Sequence, residues 1–153
     1  MNIWIDGDGC PVVQETLHLA KRFQIPCTIL CDTSHWFRTE DAQVIVCDKG
    51  ADSVDYKLAN LVKPGDLVIT QDYGLAAMCL SRQAIPIHQD GFLYTDDNIG
   101  GLLEARAFSG KIRRSGGRLK GQKKRTAAQD RSFSDTLHRL LEDHAHASRN
   151  SGT

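Results

Sequence analysis

A chain of 153 residues and 17.0 kDa, 41% hydrophobic and 25% charged, can bury a core of its own and is not a disordered polymer. No apolar run approaches the roughly 20 residues of a membrane span, so no membrane partner is expected. The formal net charge is zero, yet residues 1–100 hold 7 Lys/Arg against 14 Asp/Glu, and residues 101–153 hold 12 against 5. That split points to an acidic site in the body and a basic flank for a polyanion, unless the two halves simply neutralise each other.

The opening MNIWIDGDGC lacks the basic-then-apolar pattern of a signal peptide. The five cysteines (Cys10, Cys27, Cys31, Cys47 and Cys79) form no CxxC pair, which fits reduced thiols in a cytoplasmic protein. Residues Asn2 to Asp6 form an apolar run without alternation, as in a strand covered on both faces. Pro11 suits a first helical position, with Val12, Leu17, Leu19, Ala20 and Phe23 as the apolar face. Ile25 to Cys31 and Val44 to Cys47 read as the second and third strands, and Ala51 to Val62 as a helix ended by Pro64-Gly65. Leu67 to Thr70 is a fourth strand, followed by a helix through Leu75, Ala76, Met78, Cys79 and Leu80. Ala84 to Ile87 is a fifth, placed at an edge by Pro86.

Strands alternating with helices imply an α/β fold with a mostly parallel sheet, helices on both faces and right-handed crossovers. After Gly91, Thr95 or Asp96 can cap a helix carrying Ile99, Leu102 and Leu103. Residues 109–126 read as a Gly- and Lys/Arg-rich loop, and a last helix from about Asp130 fits Phe133, Leu137, Leu140 and Leu141. His144 to Thr153 reads as a frayed polar tail. A single domain covers residues 1–153.

In an open parallel sheet, ligands bind beyond the carboxyl ends of the strands. Four such ends carry acid: Asp6-Gly7-Asp8, Asp32, Asp48 and Thr70-Gln71-Asp72. Asp52 and Asp55 add two carboxylates three apart, on one helical face. Singly, acids in a first helical turn are favoured by the helix dipole, and Asp8 and Asp72 suit turns or caps. Together they would repel one another, a cost that Mg²⁺ or Mn²⁺ relieves. With no thiolate or imidazole cluster beside them, these oxygens do not suit zinc. The expected ligands are Asp6, Asp72 and one or both of Asp52 and Asp55, and the expected catalytic set is Asp6, Asp8, Asp55 and Asp72.

The segments Ile5-Asp6-Gly7-Asp8-Gly9-Cys10-Pro11-Val12, Gly50-Ala51-Asp52-Ser53-Val54-Asp55 and Gly65-Asp66-Leu67-Val68-Ile69-Thr70-Gln71-Asp72 resemble the bacterial YaiI/YqxD family. The similarity runs on through Arg113-Arg114-Ser115-Gly116-Gly117-Arg118 to Phe133, almost the whole chain. The resemblance implies a PIN-like three-layer α/β/α domain with a C-terminal helix, a class of metal-dependent nucleases with acids at the sheet edge. By that resemblance Asp6 matches the first PIN acid, Asp52 or Asp55 the helix-borne one and Asp72 the third, while Asp8 belongs to the family's own motif.

Between Arg106 and Arg125 lie nine basic residues and no acid. Arg113, Arg114, Arg118, Lys120, Lys123, Lys124 and Arg125 could track an RNA or DNA backbone by counterion release. No aromatics are interleaved for base stacking, and a solvated loop is the alternative. His35 and Trp36 follow the second strand, and Cys10 reads as a buried thiol beside the site. Three functions follow: a metal-dependent nuclease or phosphodiesterase, a haloacid-dehalogenase-like phosphatase with Asp6 as nucleophile, or a non-catalytic nucleic-acid-binding module. A dinucleotide-binding reading fails because no GxGxxG follows a strand.

Overall fold

The computed structural model describes residues 1–33, 38–48, 53–114, 116 and 124–151, with backbone alone at 53, 113 and 114. The chain runs β1 (Ile3–Asp6), α1 (Val13–Arg22), β2 (Cys27–Asp32), β3 (Gln43–Cys47), α2 (Ser53–Leu61), β4 (Leu67–Ile69), α3 (Tyr73–Ser81), β5 (Ile85–Ile87), α4 (Ile99–Arg114) and α5 (Ala127–Ser151). The sheet order is β3-β2-β1-β4-β5, with every pair parallel. Pro86 lies on the edge strand β5, as its missing N–H requires. From β1 the chain winds outward to β3, then returns through α2 to β4 on the other side of β1. Right-handed crossovers therefore put α1 on one face of the sheet and α2 and α3 on the other.

The buried side chains follow this division. Ile3 and Ile5 pack with Leu17, Leu19 and Ala20 of α1 and with Phe133, Leu137 and Leu141 of α5. Trp4 lies against the opposite cluster, which holds Leu58 and Ala59 of α2 and Leu75 and Cys79 of α3. By the same two-residue alternation Asp6 falls on Trp4's face of the sheet. Trp4 is half-buried, and its indole Nε1 donates to Asp66 Oδ2 at 2.9 Å.

Three expectations from the sequence change at the C-terminal end. Residues 109–114 are helical, the last turn of α4, rather than loop. Ala105, Arg106, Ala107, Lys111 and Arg113 are strong helix formers that outweigh Gly110. The last helix begins at Ala127, before Asp130, because Thr126 and Gln129 form a reciprocal capping box. Thr126 N donates to Gln129 Oε1 at 2.8 Å, and Gln129 N donates to Thr126 Oγ1 at 3.3 Å. The tail from His144 continues α5 as far as Ser151 instead of fraying.

The helix docks where Thr136 Oγ1 donates to the Gly91 carbonyl at 2.7 Å. Gly91 has φ +96, and a Cβ there would lie 2.6 Å from the Ser132 carbonyl oxygen, so only glycine fits. Among the described residues no helix is long and apolar enough to cross a membrane.

Candidate metal centre in the acidic cleft

The reversal of winding direction between β1 and β4 opens a crevice at their carboxyl ends, the usual ligand position in such sheets. Ile5 is in register with Ile69, so the next residues, Asp6 and Thr70, lie side by side. Thr70 is buried, and its hydroxyl donates to Asp6 Oδ2 at 2.8 Å while accepting from Asp72 N at 2.9 Å. Its carbonyl accepts from Tyr94 Oη at 3.0 Å. One threonine thus orients the first acid and starts the turn that delivers the next.

Asp72 is the N-cap of α3, and its Oδ1 accepts from Gly74 N at 2.8 Å and Leu75 N at 3.2 Å. Arg106 Nη1, from α4, stands 3.3 Å from the same oxygen. Asp8 is tied to the end of β2, where its Oδ1 accepts from Asp32 N at 3.1 Å. Gly9, at φ +73, gives the turn after Asp8 a backbone conformation that other residues rarely adopt.

These groups wall a cleft of about 400 Å³, lined by the carboxylates Asp6, Asp8, Asp32, Asp48, Asp55 and Asp72. Val54, Gln71, Tyr73 and Arg106 complete the lining. Burial, with the nearby charges of Asp8 and Asp72, raises the Asp6 carboxyl from 3.8 to about 6 against the opposing Thr70 hydrogen bond.

The donor set suits a hard divalent cation, since every acidic wall residue offers oxygen and no thiol or imidazole lines the cleft among the described residues. Among those residues no three acidic, His or Cys side chains are already gathered at ligand spacing. The acids share the cleft without forming a finished cage.

Asp6, Asp8, Asp55 and Asp72, expected from the sequence to act together, do line one cleft. Asp32 and Asp48, noted as strand-end acids but left out of the expected ligand set, join them. Asp52, His35, Trp36, Arg118, Lys120 and Lys123 lie outside the described residues. Gln71, Tyr73 and Arg106 also line the cleft, where the sequence placed Arg106 only in the basic run and did not single out Tyr73. Gln71 had a signal, lying between Thr70 and Asp72, whereas only the packing of α4 on α3 brings Arg106 there.

Arg113 and Arg114 form the end of α4, and Lys124 is exposed. Arg125 is committed internally, with Nε on Asp130 at 2.7 Å, Nη1 on Asp90 at 2.6 Å and Nη2 on the Gln89 carbonyl at 2.6 Å. Cys10 does not line the cleft; half-buried against the core, its thiol is pushed up to about 11 by burial.

The profile of the uncharacterised bacterial YaiI/YqxD family matches residues 4–143. The chain belongs to that family. A UPF0178 protein of Exiguobacterium sibiricum is 47% identical over 141 residues, 92% of this chain and 96% of the relative. UPF0178 proteins of Clostridium acetobutylicum and Enterococcus faecalis are 43% and 42% identical, each covering 92% of this chain and 97% of their own length. Among solved structures, a mutant of Rae1 (YacP) from Bacillus subtilis matches with a TM-score of 0.46 at 12% identity, over 94% of this chain and 99% of that one. The parallel sheet between helical layers, with acids at its carboxyl edge, is the three-layer α/β/α arrangement expected from the sequence.

Proposed function

We propose that the cleft holds Mg²⁺ or Mn²⁺ and hydrolyses phosphodiester bonds of nucleic acid, RNA or DNA. The observation that carries this reading is the convergence of six carboxylates on the switch point of the sheet, one of them, Asp6, half-buried beside two others. Asp6, Asp55 and Asp72 would hold the cation, with Asp52 as an alternative to Asp55. When bound, such a cation polarises a phosphoryl oxygen and lowers the pKa of a coordinated water.

The chain's own groups do the remaining work. Thr70 fixes the Asp6 carboxylate, and the α3 cap leaves Oδ2 as the Asp72 oxygen not engaged by the cap or by Arg106. Asp8 is positioned from the next strand as a proton acceptor for the attacking water. Arg106 offers a cation at the cleft mouth for the phosphate. The cluster Arg113, Arg114, Arg118, Lys120, Lys123 and Lys124 extends that attraction along the backbone of the polymer. The five cysteines are all thiols, which supports a cytoplasmic site of action.

A cleavage assay on labelled oligonucleotides with Mg²⁺ or Mn²⁺ tests this. Asp6→Asn and Asp72→Asn are expected to lower the rate on the order of 100-fold. Cleavage unaffected by these changes, or by a chelator, would refute it. A phosphatase acting through Asp6 would instead leave a covalent phosphoryl group on that residue, visible by mass.

A further inference from the structure

The acidic cleft does not end at Arg106. A second cavity of about 230 Å³ adjoins it, and the two share Asp55, Asp72 and Arg106 as walls. The chemistry changes across that divide. Beyond the shared charges, the second cavity is lined by Tyr56, Leu75 and Met78, with Gly74 at the turn.

Tyr56 is the residue that stands out. The chain has three tyrosines; Tyr73 and Tyr94 pack edge to face on each other and contact His88, and Tyr94 is buried. Tyr56 is 61% exposed, immediately after the cleft acid Asp55. Among the described residues its ring meets no other aromatic ring. An exposed ring over aliphatic side chains is a stacking surface.

Arg106 marks the boundary. Its side chain is 60% exposed, and its ion pair to Asp72, at 3.3 Å, is of the exposed kind that contributes little and can be exchanged for another anion. Gly74 keeps the approach open: a Cβ there would lie 3.3 Å from Asp72 Oδ1 and 3.8 Å from Arg106 Nη1.

We infer that the second cavity is a nucleotide subsite, in which an unpaired base stacks on Tyr56 while the adjoining phosphate pairs with Arg106 at the edge of the acidic cleft. The inference rests on the hydrolase reading only for the chemistry next door; the subsite is a matter of binding. It selects single-stranded over duplex nucleic acid, because a paired base cannot present its face to the ring. It also supplies the stacking aromatic that the basic segment lacks.

The test is fluorescence anisotropy with a short labelled single strand in Ca²⁺, an oxygen-seeking cation. Replacing Tyr56 with Ala should weaken binding about tenfold, as loss of one stacked base does, while Tyr56→Phe binds within about twofold of the parent. The effect of Tyr56→Ala should vanish with an abasic strand and be absent with duplex. Arg106→Gln should weaken binding and reduce the salt slope by about one. Tyr56→Ala binding the single strand as well as the parent does, or a parent that binds no single strand, overturns the subsite.

Cleavage and Mn²⁺ calorimetry on the same proteins separate the two readings. If the parent cleaves and Tyr56→Ala has an unchanged KM, the subsite falls alone. If the parent neither cleaves nor binds Mn²⁺ while the tyrosine effect persists, the hydrolase reading falls and the subsite stands.

Discussion

Asp66, just before β4, and Asp6, at the end of β1, lie at opposite edges of the same sheet, and the fold treats their charges in opposite ways. Asp66 is buried, and three N–H groups point at it: Asn2 N at 2.9 Å, Trp4 Nε1 at 2.9 Å and Lys63 N at 3.0 Å. Its charge fastens the strand starts and is answered in full by neutral donors. Asp6 receives the Thr70 hydroxyl and the backbone of Asp8, and faces like charge from the Asp8 and Asp72 side chains. A carboxylate surrounded by donors is a structural part. One beside other carboxylates keeps an unrelieved repulsion, which the proposed cation would answer.

The largest consequence of that contrast is in pH. The folded pKa of Asp6, about 6, lies above its ordinary 3.8, so its contribution to stability is fully present below about pH 4 and is lost as pH rises through about 6. A shift of this size corresponds to roughly 3 kcal/mol in metal-free protein. Urea denaturation from pH 4 to 7.5 should show this loss in the parent and a flatter profile in Asp6→Asn. Equal profiles would mean that Asp6 carries no such burden.

The same substitution at the other edge should act with opposite sign. Asp66→Asn turns an acceptor oxygen into an NH₂ group facing N–H donors, and should cost about 2 kcal/mol at pH 7.5. Asp6→Asn at that pH should be neutral or stabilising, since the amide oxygen can still accept from Thr70. Denaturation midpoints that move together would break the comparison.

A smaller effect sharpens it on the basic side. Arg125 holds Asp90, Asp130 and the Gln89 carbonyl together at the start of α5. Arg125→Gln should lower stability by about 1 kcal/mol and leave oligonucleotide affinity nearly unchanged. Lys124→Gln, at an exposed position, should do the reverse.

The contrast between the two aspartates was only half legible in the sequence. Strand–helix alternation gives the parallel sheet, and once the sheet is parallel its carboxyl edge collects Asp6, Asp8, Asp32, Asp48 and Asp72 without further assumption. Pro86 likewise announces the edge strand. Asp66 reads from sequence only as part of the Gly65–Asp72 motif, because its donors come from residues 2, 4 and 63, which meet only after the sheet forms. Arg106 and Tyr56 were missed for the same reason: they reach the cleft region through the placement of whole helices, which leaves no local spacing to read. The early start of α5 does have a local signal, the Thr126–Gln129 box, which begins at the last residue of the Gly- and Lys/Arg-rich run. Composition there outweighed a four-residue capping pattern that should have prevailed.

The most direct measurement is Mn²⁺ binding by calorimetry to the parent, Asp6→Asn, Asp72→Asn and Asp66→Asn, all at pH 7.5, where Asp6 is ionised. The account predicts that Asp66→Asn binds as the parent does, while Asp6→Asn and Asp72→Asn lose affinity by at least about tenfold. Parent-like Mn²⁺ binding by Asp6→Asn and Asp72→Asn, or no binding by the parent, would contradict it.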